Sequence, residues 1–417
     1  MALPRRLPRR LPRSPRRTIA HQIADGDRPR PLWRHPASLA AAALALTLGA
    51  VPLLPDGGPD DQGGIAPSAE STDAPGAPGR SRLTPAMRAE IDRVVAEGAA
   101  LDGAQGRTTR ARAAVRCATF EGQRYCLGFG WTNQPAEALA ARLDARPDLE
   151  RERTGDLDAD GLLARAERRT PTARAEAERA ELTMAAQAVG KVWMLRHEIQ
   201  GVPLPDGFAE RHPEVAASDV QARGGFGESY PKRSKILTSK VAQAQNTTYW
   251  CGPAAMQAIG WGSQEKRKNQ SYWARRLGTT TAGTAITDMV RVVNNKTHYD
   301  DADHAGPYVV LDISDFTFKQ WYRLMMRHVH DYRAPVVLHP VLLKQYYPYL
   351  DDDASGHFQV GRGFDQNPGG NPQIGYFEPW DQSRFDPSEP AIGRVQWRNA
   401  YRSFRANRDH FQHNVGV

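Results

Sequence analysis

Apolar positions recur at helical spacing over 85–100, where Met87, Ile91, Val94 and Val95 fall on one face. A longer helical stretch, 172–200, carries Leu182, Met184, Val189, Val192, Trp193, Leu195 and Ile199, and Gly201 with Pro203 supplies its stop. Its charged first half, ARAEAERAE, reads as a solvated face. Between these helices, CATFEGQRYC folds back on itself. Pairing Cys117 with Cys126 puts Glu121-Gly122 in a two-residue turn and Phe120 opposite Gln123, so the segment 115–131 is predicted to be a β-hairpin.

Farther along, Cys251-Gly252-Pro253 opens a run of helix formers, Ala254 to Ile259, with proline where its missing N–H costs nothing. AITDMVRVVNN places Ile286, Met289, Val290 and Val293 on one helical face. A third helix is predicted over 315–332, with Phe318, Trp321, Tyr322, Met325 and Val329 inward and Ala334-Pro335 as its end. The strand VVLHPVLL follows, then an alternating run headed by His357, a glycine turn in VGRGFD and another strand ending in Glu378-Pro379. Helices gathered beside such strands predict an α+β fold.

Charge divides the chain more sharply than hydropathy does. The formal net charge is +8, and residues 1–37, with ten Arg and two Asp, account for all of it. The rest is formally neutral, which excludes a nucleic-acid footprint on the folded part. The basic stretch precedes the uncharged run ASLAAAALALTLGAVPLL at 37–54, so 1–54 is expected to be an export signal or an uncleaved membrane anchor. The membrane would then be met only through that segment, and the protein would be secreted or held at the cell surface. Residues 55–82, rich in Pro, Gly, Asp and Ser, read as a disordered linker. The remainder divides into a mainly helical accessory or pro-region, 83–224, and a domain at 225–417. The helical region is open to three readings: a propeptide over the cleft, a wall-binding module or a scaffold.

An exported chain can keep a disulfide. With three cysteines, Cys117–Cys126 is assigned as a structural bridge and Cys251 remains as the free thiol. At a helix start the unsatisfied N–H groups favour the thiolate, which is a nucleophile. Gln245, six positions before it, brings an amide within reach of a developing oxyanion, and His357 offers a base.

These residues carry a resemblance. Gln245, the run Cys251-Gly252-Pro253-Ala254 and His357 with its VGRGFD turn resemble the papain-like bacteriocin-processing cysteine peptidases, peptidase family C-thirty-nine, and their secreted relatives. The resemblance covers about 236–400 and implies a papain-like α+β domain, its nucleophile helix packed on an antiparallel sheet. It also implies a carboxylate after the next strand, in an Asp-Pro. This chain has Glu378-Pro379 there, so Glu378 is the first candidate to orient His357, with Asp381 as substitute. The expected function is hydrolysis of peptide bonds by an exported cysteine peptidase that needs no metal or organic cofactor, acting on a peptide or protein such as a cell-wall peptide stem. The rival readings are a Cys-His amidase or transglutaminase-like acyltransferase, and an inert papain-like binding module.

Three further features are assigned plain roles. His298, His304, His328, His330, His339, His410 and His413 lack ligand spacing and are read as structural or surface residues, so no metal site is expected. Asp351, Asp352 and Asp353 read as a solvated loop at the cleft rim, with selection of basic substrate residues as the alternative. Trp250, Phe377 and Trp380 either wall the cleft or belong to the core.

Overall fold

The computed structural model describes residues 79–145, 151–216, 230–263, 267–301 and 303–417. The stretch 1–54, expected to be an export signal or anchor, and most of the expected linker 55–82 lie outside these residues. Among the described residues, no helix is long and apolar enough to cross a membrane.

One sheet gathers the described strands. These are β1 (Cys117–Phe120), β2 (Gln123–Cys126), β3 (Gly130–Trp131), β4 (Arg233–Lys235), β5 (Val310–Asp312), β6 (Val336–Leu338), β7 (Gln359–Asp365), β8 (Gln373–Phe377), β9 (Val395–Asn399) and β10 (Asn414–Gly416). Their order is β1-β2-β3-β5-β10-β6-β7-β8-β9, with β4 also on β7. Every pairing is antiparallel except β3 with β5, where Trp131 faces Leu311. The fold is α+β with an antiparallel-dominated sheet. That one parallel pairing carries the sheet from the hairpin of the helical region into the strands of 225–417.

The hairpin has the predicted register, Cys117 opposite Cys126 and Phe120 opposite Gln123. Glu121 and Gly122 both take positive φ, as a two-residue turn matching strand twist demands. The two cysteine Cα atoms are 4.0 Å apart and the disulfide is formed. Bonding of Leu127 N–H to Arg116 O on the flanking pair leaves the cysteines as the close, non-hydrogen-bonded kind.

Helix 85–100 is an α-helix over Pro85–Ala96 capped by the Thr84 side chain, tightening to 3-10 over Glu97–Leu101. The stretch 172–200 divides into Pro171–Gln187, Val189–Leu195 and a wide final turn at Arg196–Gln200, closed by Gly201 in the left-handed region. Its charged half is not simply a solvated face. Arg174 and Glu178 are buried there, Arg174 bonding Asp102 and the Gly98 carbonyl, and Glu178 pairing with Arg116. Glu181 accepts from Tyr125 Oη at 3.0 Å and from Gly128 N–H at 2.8 Å. Helical spacing alone could not place those side chains, because their partners come from other elements. Arg80 and Ser81, at the end of the predicted linker, are docked: Ser81 N–H donates to Gln187 O at 2.7 Å and Arg80 to Asn294 O at 3.1 Å.

In the C-terminal part the helices are Cys251–Ser263, Gln270–Leu277, Ile286–Lys296, Phe318–His330 and Ala400–Asp409. The third predicted helix starts later than 315 because Thr317 caps it, in a reciprocal box with Gln320. The ladder of VVLHPVLL ends at Leu338, since His339 is followed by a proline that has no N–H to give. Ile286, Met289, Val290 and Val293 are buried as their spacing predicts, in one apolar cluster with Cys251, Met256, Ile259 and Phe358. That cluster seats the nucleophile helix on the sheet.

Candidate active site

Cys251 is the first residue of its helix and is fully buried. Its thiol accepts the backbone N–H groups of Phe358 and Gly252, so it lies against the residue that follows His357. Burial pushes the thiol well above the usual range, the charge of Asp156 pushes it the same way, and the two N–H groups only partly oppose them. This corrects the expectation of a thiolate favoured by the helix start. Desolvation of the anion outweighs the helix end in this closed arrangement.

His357 lies two residues before β7 and is also fully buried. Its Nε2 is 2.8 Å from Glu378 Oε1. Glu378, at the end of β8, accepts from Trp380 N–H (2.9 Å), Tyr349 Oη (2.6 Å) and Gln359 Nε2 (2.7 Å) as well. Burial raises its carboxyl, but the His357 charge and these donors outweigh that and hold it below the usual range. An ionised carboxylate only accepts, so Nε2 carries the hydrogen. In the neutral ring Nδ1 is then the bare nitrogen, and it has no hydrogen-bond partner among the described residues.

The other candidates separate. Gln245 is buried, and its Nε2 donates to the carbonyls of Thr154 (3.0 Å), Thr247 (2.9 Å) and Thr248 (3.1 Å). Asp381 lies away from the imidazole bond, accepting from Ser383 Oγ at 2.8 Å and standing 3.6 Å from Arg394. Trp380 and Phe377 are core residues, whereas Trp250 is half-buried. Asp351, Asp352 and Asp353 are exposed, two of them engaged with Lys344.

Imidazole and carboxylate therefore meet, and the thiol lies against the residue that follows the imidazole. A model of the Peptidase_C39 like family matches residues 239–405. That segment is similar to this family. No curated protein and no solved structure matches the chain. The family points to cysteine peptidase activity.

The C-thirty-nine-like segment is completed by residues from outside it. Asp156, from the helical region, is buried with its Oδ2 2.8 Å from His410 Nε2 and 3.5 Å from His339 Nε2. His339 and His410 are thus not independent structural histidines; their rings lie 3.8 Å apart beside Phe358, on which His339 stacks at 4.4 Å. No sequence spacing links 156, 339 and 410. Only the fold brings them together.

Proposed function

We propose that the domain is a papain-like cysteine peptidase of an exported protein, with Cys251 as nucleophile, His357 as general base and acid, Glu378 as the residue that fixes the imidazole, and Gln245 as oxyanion donor. His357 Nδ1 takes the thiol proton, and the sulfur attacks a peptide carbonyl. The imidazolium gives that proton to the leaving amine, and water attacking the thioester frees the acyl group and restores the thiol. The Gln245 amide and the Cys251 backbone N–H face the charge that develops on the carbonyl oxygen. None of these steps calls for a metal or organic cofactor.

The observation that carries this reading is the bond from His357 Nε2 to Glu378, which leaves Nδ1 as the free base while the thiol contacts the adjoining backbone. Export is supported by the basic and apolar order of 1–54 and by the bonded Cys117–Cys126 pair, which suits an oxidising compartment. Substrates would then be extracytoplasmic peptides, including wall peptide stems. The test is acyl-enzyme trapping by mass spectrometry with a peptide ester, in the full chain and in Cys251→Ala and His357→Ala. Acylation at Cys251 that both substitutions abolish supports the reading; acylation elsewhere, or none once the cleft is opened by Asp156→Asn, removes it.

A further inference from the structure

Residues 152–157 run as a strap between the two walls of the thiol site. On the side of the nucleophile helix, Thr284 N–H donates to Gly155 O at 2.9 Å and Leu157 N–H to Thr284 O at 2.8 Å. On the side of the imidazole, Thr154 N–H donates to Ser355 Oγ at 3.1 Å and Thr154 Oγ1 to Gly356 O at 2.6 Å. Ser355 N–H closes the set on Glu152 O at 2.8 Å. The bonds to Gly155, from Leu157 and to Glu152 are main-chain bonds of the kind an extended peptide makes in a cleft, and each of the two Thr154 bonds has a side chain as one partner. The Thr154 carbonyl rests on the Gln245 amide, where the proposed mechanism puts the oxyanion. Gly155 fits because a Cβ there would lie 2.4 Å from the Tyr249 backbone, and its φ of +112° suits only glycine.

Asp156 is the side chain this strap inserts. Its pocket is made by His339, His410 and Gly356, the last lacking a Cβ that would stand 2.1 Å from Asp156 Oδ2. The imidazoles are set by other parts of the chain. His410 Nδ1 accepts Gln412 N–H at 3.2 Å, which puts the ring hydrogen on Nε2, facing the carboxylate. His339 Nδ1 is 2.8 Å from Asn414 Oδ1, and its Nε2 faces the pocket 3.5 Å from Asp156 Oδ2. A donor at His410 Nε2 suits a carboxylate. The same three side chains bring ligand-capable atoms within 4.8 Å of one another, but a metal would need the His410 Nε2 lone pair that this tautomer does not offer.

We propose that the pocket formed by His339, His410 and Gly356 beside Cys251 is a subsite for an acidic side chain, which the strap 152–157 fills with the chain's own Asp156 and which an Asp-bearing substrate peptide takes by displacing it. The proposal rests on the reading of the Cys251 cleft as a peptidase site. It deepens that reading by giving the substrate class, peptides with a carboxylate side chain at this place, and by making the helical region a cover that competes for the cleft. His339 and His410 are positioning and specificity residues in it.

Binding without turnover tests the subsite separately from the chemistry. The full chain carrying Cys251→Ala and Asp156→Asn is titrated by calorimetry with N-acetyl-Thr-Gly-Asp-Leu amide and with its Asn counterpart. The acidic peptide is expected to bind at least about tenfold tighter than the Asn peptide, a preference that His410→Gln removes. It is also expected to bind at least about tenfold tighter than to the Cys251→Ala chain that keeps Asp156, because the strap then competes. Equal affinity for the two peptides, or affinity indifferent to Asp156, overturns the proposal. So does one-to-one zinc(II) binding by the Cys251→Ala chain that Asp156→Asn abolishes. Should Asp156→Asn fail to fold, Thr154→Val loosens the strap without touching the pocket, and it must raise affinity for the acidic peptide alone. If the binding preference holds while Cys251 of the Asp156→Asn chain never acylates, the peptidase reading fails and the subsite stands.

Discussion

Glu378 Oε1 holds His357 Nε2 at 2.8 Å, and the same carboxylate receives Tyr349, Gln359 and Trp380. The imidazole is fixed by a group that is itself fully engaged, so it has one orientation and one bare nitrogen. Glu378→Gln keeps the shape but offers an amide N–H where the ring hydrogen points, favouring the wrong tautomer. Peptide hydrolysis in an Asp156→Asn background is expected to drop about 10²- to 10⁴-fold in kcat/KM. The Glu378→Ala chain should in addition unfold more easily, by about 3–5 kcal/mol in urea titration, because buried donors lose their acceptor.

The strap governs the thiol as well as the cleft. Burial and the Asp156 charge both push Cys251 upward, so alkylation of the wild-type chain by iodoacetamide should rise only above the ordinary thiol range near ~8.5. Asp156→Asn removes an anion beside a developing anion. Its rate profile should therefore move to lower pH, read by mass spectrometry at Cys251, and identical profiles would show that Asp156 does not bear on the nucleophile.

Gly356→Ala places a methyl group where Asp156 and His410 meet. Overpacking of this kind costs about 1–3 kcal/mol, and the cheapest relief is for the strap to leave. We expect a lower Tm together with faster alkylation of Cys251. A lower Tm with unchanged alkylation would mean that the strap stays and the core absorbs the strain.

Acid should weaken the same contact. His410 is pulled down to about 4, by burial first and then by the His339 charge, against the Asp156 bond. An unfolded histidine titrates near ~6.5, so between about 6.5 and 4 the unfolded chain binds a proton that the folded chain refuses. This contribution to stability is present above 6.5 and is lost as pH falls towards 4. Asp156 is held below the usual carboxylate range because the bonds and charges of His339 and His410 outweigh its burial, so its own contribution persists until more acid pH. Unfolding free energy measured across pH 4–7 should show a positive slope that flattens in His410→Gln.

Reduction of Cys117–Cys126 opens a loop of sequence separation 9. A loop of that size corresponds to about 2–3 kcal/mol of chain entropy. Because β2 pairs β3, and β3 joins β5, the loss should reach the sheet as a whole: the Cys117→Ala/Cys126→Ala chain is expected to lose that stability in a single cooperative denaturation. A separate early transition would show instead that the hairpin melts alone.

How much of this was legible follows from the range of each interaction. The hairpin register, its turn residues, the helix predicted over 315–332 apart from its later, Thr317-capped start, and the apolar faces of Met87, Ile91, Val94 and of Ile286, Met289, Val290, Val293 depend on neighbours within a few positions, and the sequence by itself determined them. The ordered set Gln245, Cys251, His357 and Glu378-Pro379 was legible for a different reason: each residue keeps a local marker, a helix start, a strand head or a strand end. Tertiary structure alone decided the rest. It chose Glu378 over Asp381 for the bond to His357, because the strand end aims one carboxylate inward and leaves the other to Ser383 and Arg394. It buried Arg174 and Glu178 in a helix half that reads as solvated, and it raised the thiol that the helix start favours. Above all it brought Asp156 to His339 and His410, which no periodicity connects. Burial, desolvation and long-range pairing are properties of the assembled space around a side chain, and that space exists only once the chain has folded.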